Sequence, residues 1–126
     1  MQGKKEFKQR IYYDFDPESL VPDSHILKRI EKLISFEFVR EKTKSYYSHT
    51  GKPSIDPVVL IKMLLIGYLF DIHSEMKLIE EVSLNLAYRW YIGYDIDDAI
   101  PDHSIFSKAR VRFIKALFCQ IFEEIL

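Results

Sequence analysis

The sequence predicts an all-α fold, a compact bundle of about five helices that ends in a helix-turn-helix-like pair. Three observations carry this expectation. Apolar residues recur at three- and four-residue spacing, capping residues stand ahead of the periodic stretches, and Pro17, Pro22, Gly51, Pro53, Pro57, Gly93 and Pro101 fall between the helical patterns. Hydrophobic residues at 48% and aromatic ones at 14% argue for a packed core instead of a disordered chain. With 126 residues and no long flexible linker, residues 1–126 read as one domain.

The first twenty residues read as a flexible or extended arm. Lys4, Lys5, Lys8 and Arg10 precede Ile11–Phe15 with its three aromatic residues. Such a segment either tracks phosphate or minor groove or acts as a solubilising tail. A first helix begins near Asp23 or Ser24, whose side chains can accept a hydrogen bond from the free amides of the first turn. Ile26, Leu27, Ile30, Leu33 and Ile34 follow at helical spacing, with Lys28, Arg29, Glu31 and Lys32 on the other face. A shorter helix, Phe38–Tyr46, ends before a Ser48–Ser54 loop. Asp56 then caps a helix with Pro57 at its first position, where a missing N–H is harmless. That helix, Pro57–Asp71, is apolar nearly all round and is the expected centre of the core.

Ser74 reads as the cap of the next helix, with Leu78, Ile79, Val82, Leu86 and Trp90 as its apolar stripe and Gly93 at the left-handed terminal position. The turn from Tyr94 to Asp102 holds four carboxylates, Asp95, Asp97, Asp98 and Asp102. A calcium loop starting at Asp95 needs glycine at its sixth position and glutamate at its twelfth, where this chain has Ile100 and Phe106. The simpler reading makes Asp102 the cap of the last helix and the other acids solvated turn formers. From about His103, Phe106, Ala109, Phe113, Leu117 and Ile121 share one face while Lys108, Arg112 and Lys115 share the opposite one. Arg110 falls toward the apolar side. Three cations on one exposed stripe can meet phosphates or guanines in a major groove, and they can equally be a solvated helix face.

Charge and composition narrow the function classes. The net charge is −1. Met1–Lys52 holds eleven Lys and Arg against eight Asp and Glu, whereas Pro53–Leu126 holds seven against eleven, so DNA contact must come from local stripes. The N-terminus lacks the charged-then-apolar pattern of a secretory signal and no apolar run approaches a membrane span, which predicts a cytoplasmic protein. The single Cys119 suits a reducing compartment. His25, His49, His73 and His103 show no metal-ligand spacing, and neither a phosphate-binding glycine loop nor a nucleophile motif is present. No catalytic residue, metal site or cofactor is therefore expected in this chain. Tyr46, Tyr47, Tyr88, Trp90 and Tyr91 invite a base-stacking reading, but helical placement makes them core or interface residues.

Four blocks in order resemble the N-terminal domain of bacterial insertion-sequence transposases of the DDE type. They are LVPDSHILKRIEKLISF at Leu20–Phe36, YSHTGKPSIDPVVLIKMLLIGYLFDI at Tyr47–Ile72, NLAYRWYIG at Asn85–Gly93 and PDHSIFSKAR at Pro101–Arg110. The family usually carries arginines where Met76 and Lys77 stand, and threonine where Ile105 stands. The resemblance implies a module that recognises double-stranded DNA at element ends. It also implies that the catalytic carboxylates, with a divalent metal such as Mg, belong to an RNase-H-like domain beyond a segment like Phe118–Leu126.

On this reading the expected DNA contacts are His103, Ser104, Lys108, Arg110, Arg112 and Lys115, with Lys4, Lys5, Lys8 and Arg10 from the arm. The helix caps are Asp23, Asp56, Ser74 and Asp102. The alternative is a protein-interaction or dimerisation module, such as a truncated transposase remnant that inhibits the intact enzyme. Its surface would be a C-terminal seam of Leu117, Phe118, Ile121, Phe122, Ile125 and Leu126, forming a homodimer or meeting a transposase catalytic domain.

Overall fold

The computed structural model describes residues 2–6, 16–44, 55–112 and 115–125, with the side chains of 110–112, 115–118 and 122 outside that description. Lys8, Arg10, Arg110, Arg112, Lys115, Leu117, Phe118, Phe122 and Leu126, all singled out from the sequence, fall outside it, wholly or in their side chains. The described residues form eight helices and no strand. They are α1 (Pro17–Leu20), α2 (Ile26–Leu33), α3 (Glu37–Thr43), α4 (Pro57–Leu69), α5 (Glu75–Leu84), α6 (Leu86–Ile92), α7 (Ser104–Arg112) and α8 (Lys115–Ile125).

Helix α4 is the axis of the bundle. Asp56 accepts from the Val58 amide at 2.9 Å, Pro57 occupies the first turn, and Val58, Leu60, Ile61, Met63, Leu65, Ile66 and Gly67 are buried. A helix with apolar residues all round has no solvent face to keep, so neighbours must cover it. Helices α3, α5 and α6 pack against α4, while α2 and α1 pack against α6. The core gathers Leu27, Val39, Leu78, Val82, Tyr91, Phe106 and Ile121 around it. Gly67 is required where α4 turns into α5: a Cβ there would lie 3.1 Å from the Ile72 carbonyl oxygen, and the Gly67 oxygen accepts from the Ile72 amide at 2.8 Å.

Three boundaries differ from the sequence reading. Helix α2 is capped by His25, whose Nδ1 accepts from the Leu27 amide at 3.1 Å, in place of Asp23 or Ser24. The Asp23 carboxylate lies instead 3.9 Å from Lys28 Nζ. The first twenty residues are not wholly an arm either. Asp16 caps a single helical turn at Pro17–Leu20, and the Glu18 carbonyl accepts from the nearly buried Lys28 ammonium at 2.8 Å.

The third difference bears on function. The helix expected from Ser74 to Gly93 is two helices that meet at Asn85. The Asn85 backbone is extended; its N–H donates to the Glu81 carbonyl at 2.9 Å and its Oδ1 accepts from the Tyr88 amide at 3.2 Å. A short amide side chain competes well for backbone groups, and here it closes one helix and opens the next. Gly93 ends α6 in the left-handed conformation, φ 86°, with its N–H shared by the carbonyls of Arg89 and Trp90.

Candidate nucleic-acid interface

Among the described side chains of α7, those that anchor it to the core lie on one face. Phe106 and Ala109 are 2% and 6% exposed and belong to the core, and Ile105 packs against it. His103, Ser107 and Lys108 face solvent, with Ser104 half-buried. The core-facing set fixes which face the helix turns outward, because positions three residues apart lie on one side. Ser107 also lies on that outer face and was not among the expected contacts, which included Ser104, because nothing in the sequence sets it apart from any other helix-surface serine.

The turn into α7 is held by its own acids. Asp98 Oδ2 accepts from the Asp95 amide at 2.8 Å, and Asp95 Oδ1 from the Ile96 amide at 2.7 Å. Arg89, on α6, reaches this turn and donates to the carbonyls of Asp95 at 2.7 Å and Asp98 at 2.9 Å, while its Nε donates to Ser83 at 2.7 Å. At the start of α7, Asp102 Oδ1 accepts from the His103 amide at 2.8 Å and lies 2.8 Å from its ring Nδ1. Desolvation works to raise the Asp102 pKa, but hydrogen bonds from the His103 backbone, the His103 charge, and the Ser104 and His103 side chains together hold it below the ordinary carboxylate range. Among the described residues no three His, Cys, Asp or Glu side chains gather where a metal ion could sit.

The fold separates structural cations from solvent-facing ones. Lys62 Nζ lies 2.9 Å from Glu31 Oε2, donates to the Tyr91 carbonyl at 3.1 Å and sits over the Tyr91 and Phe36 rings. Lys28 covers Trp90, Arg40 pairs with Asp56 at 2.8 Å, and Lys42 pairs with Glu124 at 2.9 Å. With Arg89, these five are committed to holding helices together. Lys4, Lys5, Arg29, Lys32, Lys44, Lys77 and Lys108 are exposed. Of the aromatic residues considered for stacking, Tyr88 and Tyr91 are buried and Trp90 lies under Lys28, so these three serve packing.

One further histidine has a local partner. His73 Nε2 lies 2.6 Å from Asp71 Oδ1 on the exposed α4–α5 turn, where Asp71 has φ 58°. That turn borders a hollow of about 340 Å³ that also includes Leu64, Tyr68 and Leu78. Of the C-terminal seam, Ile121 is 1% exposed within the core and Ile125 is half-buried against it. Ile121 is thus a core residue of this chain and not part of a free surface. Cys119 is exposed. No helix of the described residues is long and apolar enough to cross a membrane.

The core-facing anchors of α7 and the helical bundle beneath it sit within a stretch that matches a known family. Residues 15–112 match the family described as Transposase domain (DUF772), and the chain belongs to that family. Among curated proteins and among solved structures nothing matches the chain.

Proposed function

We propose that this chain is the DNA-binding and assembly module of an insertion-sequence transposase, holding element ends during transposition. The observation that carries the reading is the outer face of α7. His103, Ser107 and Lys108 face solvent on a helix whose opposite side is fixed in the core of a transposase-family domain. An α-helix fits the major groove, and exposed hydroxyl, imidazole and ammonium groups near its N-terminus can meet base edges and phosphates there. Arg110, Arg112 and Lys115 extend the basic sequence along the chain, and Lys4, Lys5, Lys8 and Arg10 supply a second, phosphate-tracking set.

On this proposal the chain contributes no catalytic group and no cofactor. Cleavage and joining, with their divalent metal, belong to a catalytic domain that this module serves, and double-stranded DNA is its partner. Gel-shift competition tests the specific-reader version: labelled element-end duplex should resist excess random duplex at constant salt. Equal displacement by both competitors would remove end recognition and leave only charge-driven binding.

A further inference from the structure

We propose that Arg89 is a positioning residue for DNA recognition, setting the angle at which α7 meets the duplex without touching DNA itself. The proposal rests on the reading of α7 as the DNA-contacting helix. Arg89 stands on α6, and its guanidinium joins three separate pieces of backbone: Ser83 in the last turn of α5, and Asp95 and Asp98 in the turn leading to α7. Its main chain makes a fourth tie, since the Arg89 carbonyl accepts from the Tyr94 amide at 2.9 Å.

The chemistry at each end explains why an arginine suits this position. The last carbonyls of a helix lack intrahelical partners, and a cation there satisfies them and complements the negative end of the helix. The Asp95 and Asp98 carbonyls point into the same fork. Only a planar group with several fixed N–H directions reaches all three oxygens at 2.7–2.9 Å. A lysine at this position carries the charge but cannot hold that geometry.

The tie controls the approach to α7. The Asp95–Asp98 turn and the core contacts of Phe106 lie on opposite sides of the start of α7, at Asp102–Ser104, so the helix is fixed at two places. With the Arg89 clasp gone, Phe106 and Ala109 still pin α7 to the core, but the segment that enters the helix, carrying His103 and Ser104, is freed to shift. Recognition contacts tolerate displacements of only about half an ångström. The Arg89 side chain is half-buried and its Nε and Nη1 donate to backbone carbonyls, which separates it from the exposed cations.

The test compares wild type, Arg89→Ala, Arg89→Lys and Lys108→Ala by fluorescence anisotropy on one duplex across a salt series, well below each melting temperature. Hydrogen exchange at the Ile105 and Phe106 amides, which donate to Asp102 and His103, is followed in the absence of DNA. Arg89→Ala is expected to bind roughly tenfold or more weakly with the salt slope unchanged, and to exchange both amides faster. Arg89→Lys should recover part of the affinity, while Lys108→Ala should lower the slope by about 0.9.

Wild-type affinity in folded Arg89→Ala, or unchanged exchange at both amides, overturns the proposal. So does a slope reduced by about 0.9 in that variant, because Arg89 would then be a phosphate contact. If Arg89→Ala does not fold, the same three criteria apply to Arg89→Lys. Wild type that binds no duplex even at low salt overturns the α7 reading itself, a result distinguishable from the failure of Arg89 alone.

Discussion

Lys42 Nζ lies 2.9 Å from Glu124 Oε1, which ties α3 to α8. Helix α8 is beyond residue 112, where the family match ends, yet Ile121 on α8 fills the same core as Phe106 on α7. The cooperative unit therefore runs past the matched region. Ile121→Ala should lose about 2–4 kcal/mol, as large-to-small core changes do, whereas Lys42→Ala, at a half-exposed ion pair, should lose under about 1 kcal/mol. Urea denaturation of both variants checks this, and equal losses would mean that the ion pair and not the core holds α8.

Asn85 is predicted to be worth more than its position inside an apolar stripe suggests. It closes α5 and opens α6, so Asn85→Ala should cost about 1 kcal/mol and speed exchange of the Tyr88 amide, which loses its acceptor. Alanine also favours one continuous helix. An unchanged stability with unchanged Tyr88 protection would show that the break is imposed by packing on either side of it.

The Tyr91 hydroxyl is buried without a hydrogen-bond partner in the structure. Removing an unsatisfied polar group while keeping the ring should stabilise, so Tyr91→Phe is expected to gain about 1 kcal/mol at neutral pH. Burial, assisted by Glu31, pushes the Tyr91 phenol well up; burial and nearby carboxylates also raise Tyr88 and Tyr94. A raised phenol is an acid that the fold keeps protonated. Its contribution is fully present below the ordinary phenol range near about 10 and is lost as pH climbs beyond it. Tyr91→Phe should accordingly lose less stability than wild type between neutral and strongly alkaline pH, read from denaturant midpoints.

The two structural glycines should fail for different reasons. Gly93→Ala meets no atom within 4 Å but must hold φ 86°, a backbone cost of about 1 kcal/mol. Gly67→Ala would gain helix propensity, yet its Cβ would press on the Ile72 oxygen at 3.1 Å. That oxygen belongs to a turn already hydrogen-bonded to Gly67, so we expect net destabilisation and a shift of the α4–α5 turn visible in the Ile72 amide resonance. A more stable Gly67→Ala would show that the turn gives way.

The sequence revealed what local chemistry determines. Helix α4 was legible from Asp56, Pro57 and an unbroken apolar surround, and the end of α6 from Gly93. The Asn85 break was hidden because Leu86 and Trp90 stay in phase with the α5 stripe. His25 was missed as a cap because imidazole rarely outcompetes a neighbouring Asp or Ser. The inward roles of Lys62 and Lys28 depend on partners distant in sequence: Lys62 meets Glu31 across 31 positions and the Tyr91 carbonyl across 29. None of the residues expected to meet DNA is among these inward cations, but a count of charge along the chain does not tell the two kinds apart. The reach of Arg89 likewise follows from the Asn85 break and the turn, neither of which periodicity encodes.

The proposed function stands or falls on whether Lys108, Arg112 and Lys115 meet DNA. Anisotropy titration of wild type and of the Lys108→Ala, Arg112→Ala, Lys115→Ala triple variant against element-end duplex, repeated across salt, tests it most directly. Wild type should show a log–log salt slope of about −2 to −4, with the triple variant binding more weakly and its slope shallower by about 0.9 for each phosphate contact removed. Wild type that does not bind at low salt, or a triple variant that matches it in affinity and slope, would mean that these residues do not meet DNA.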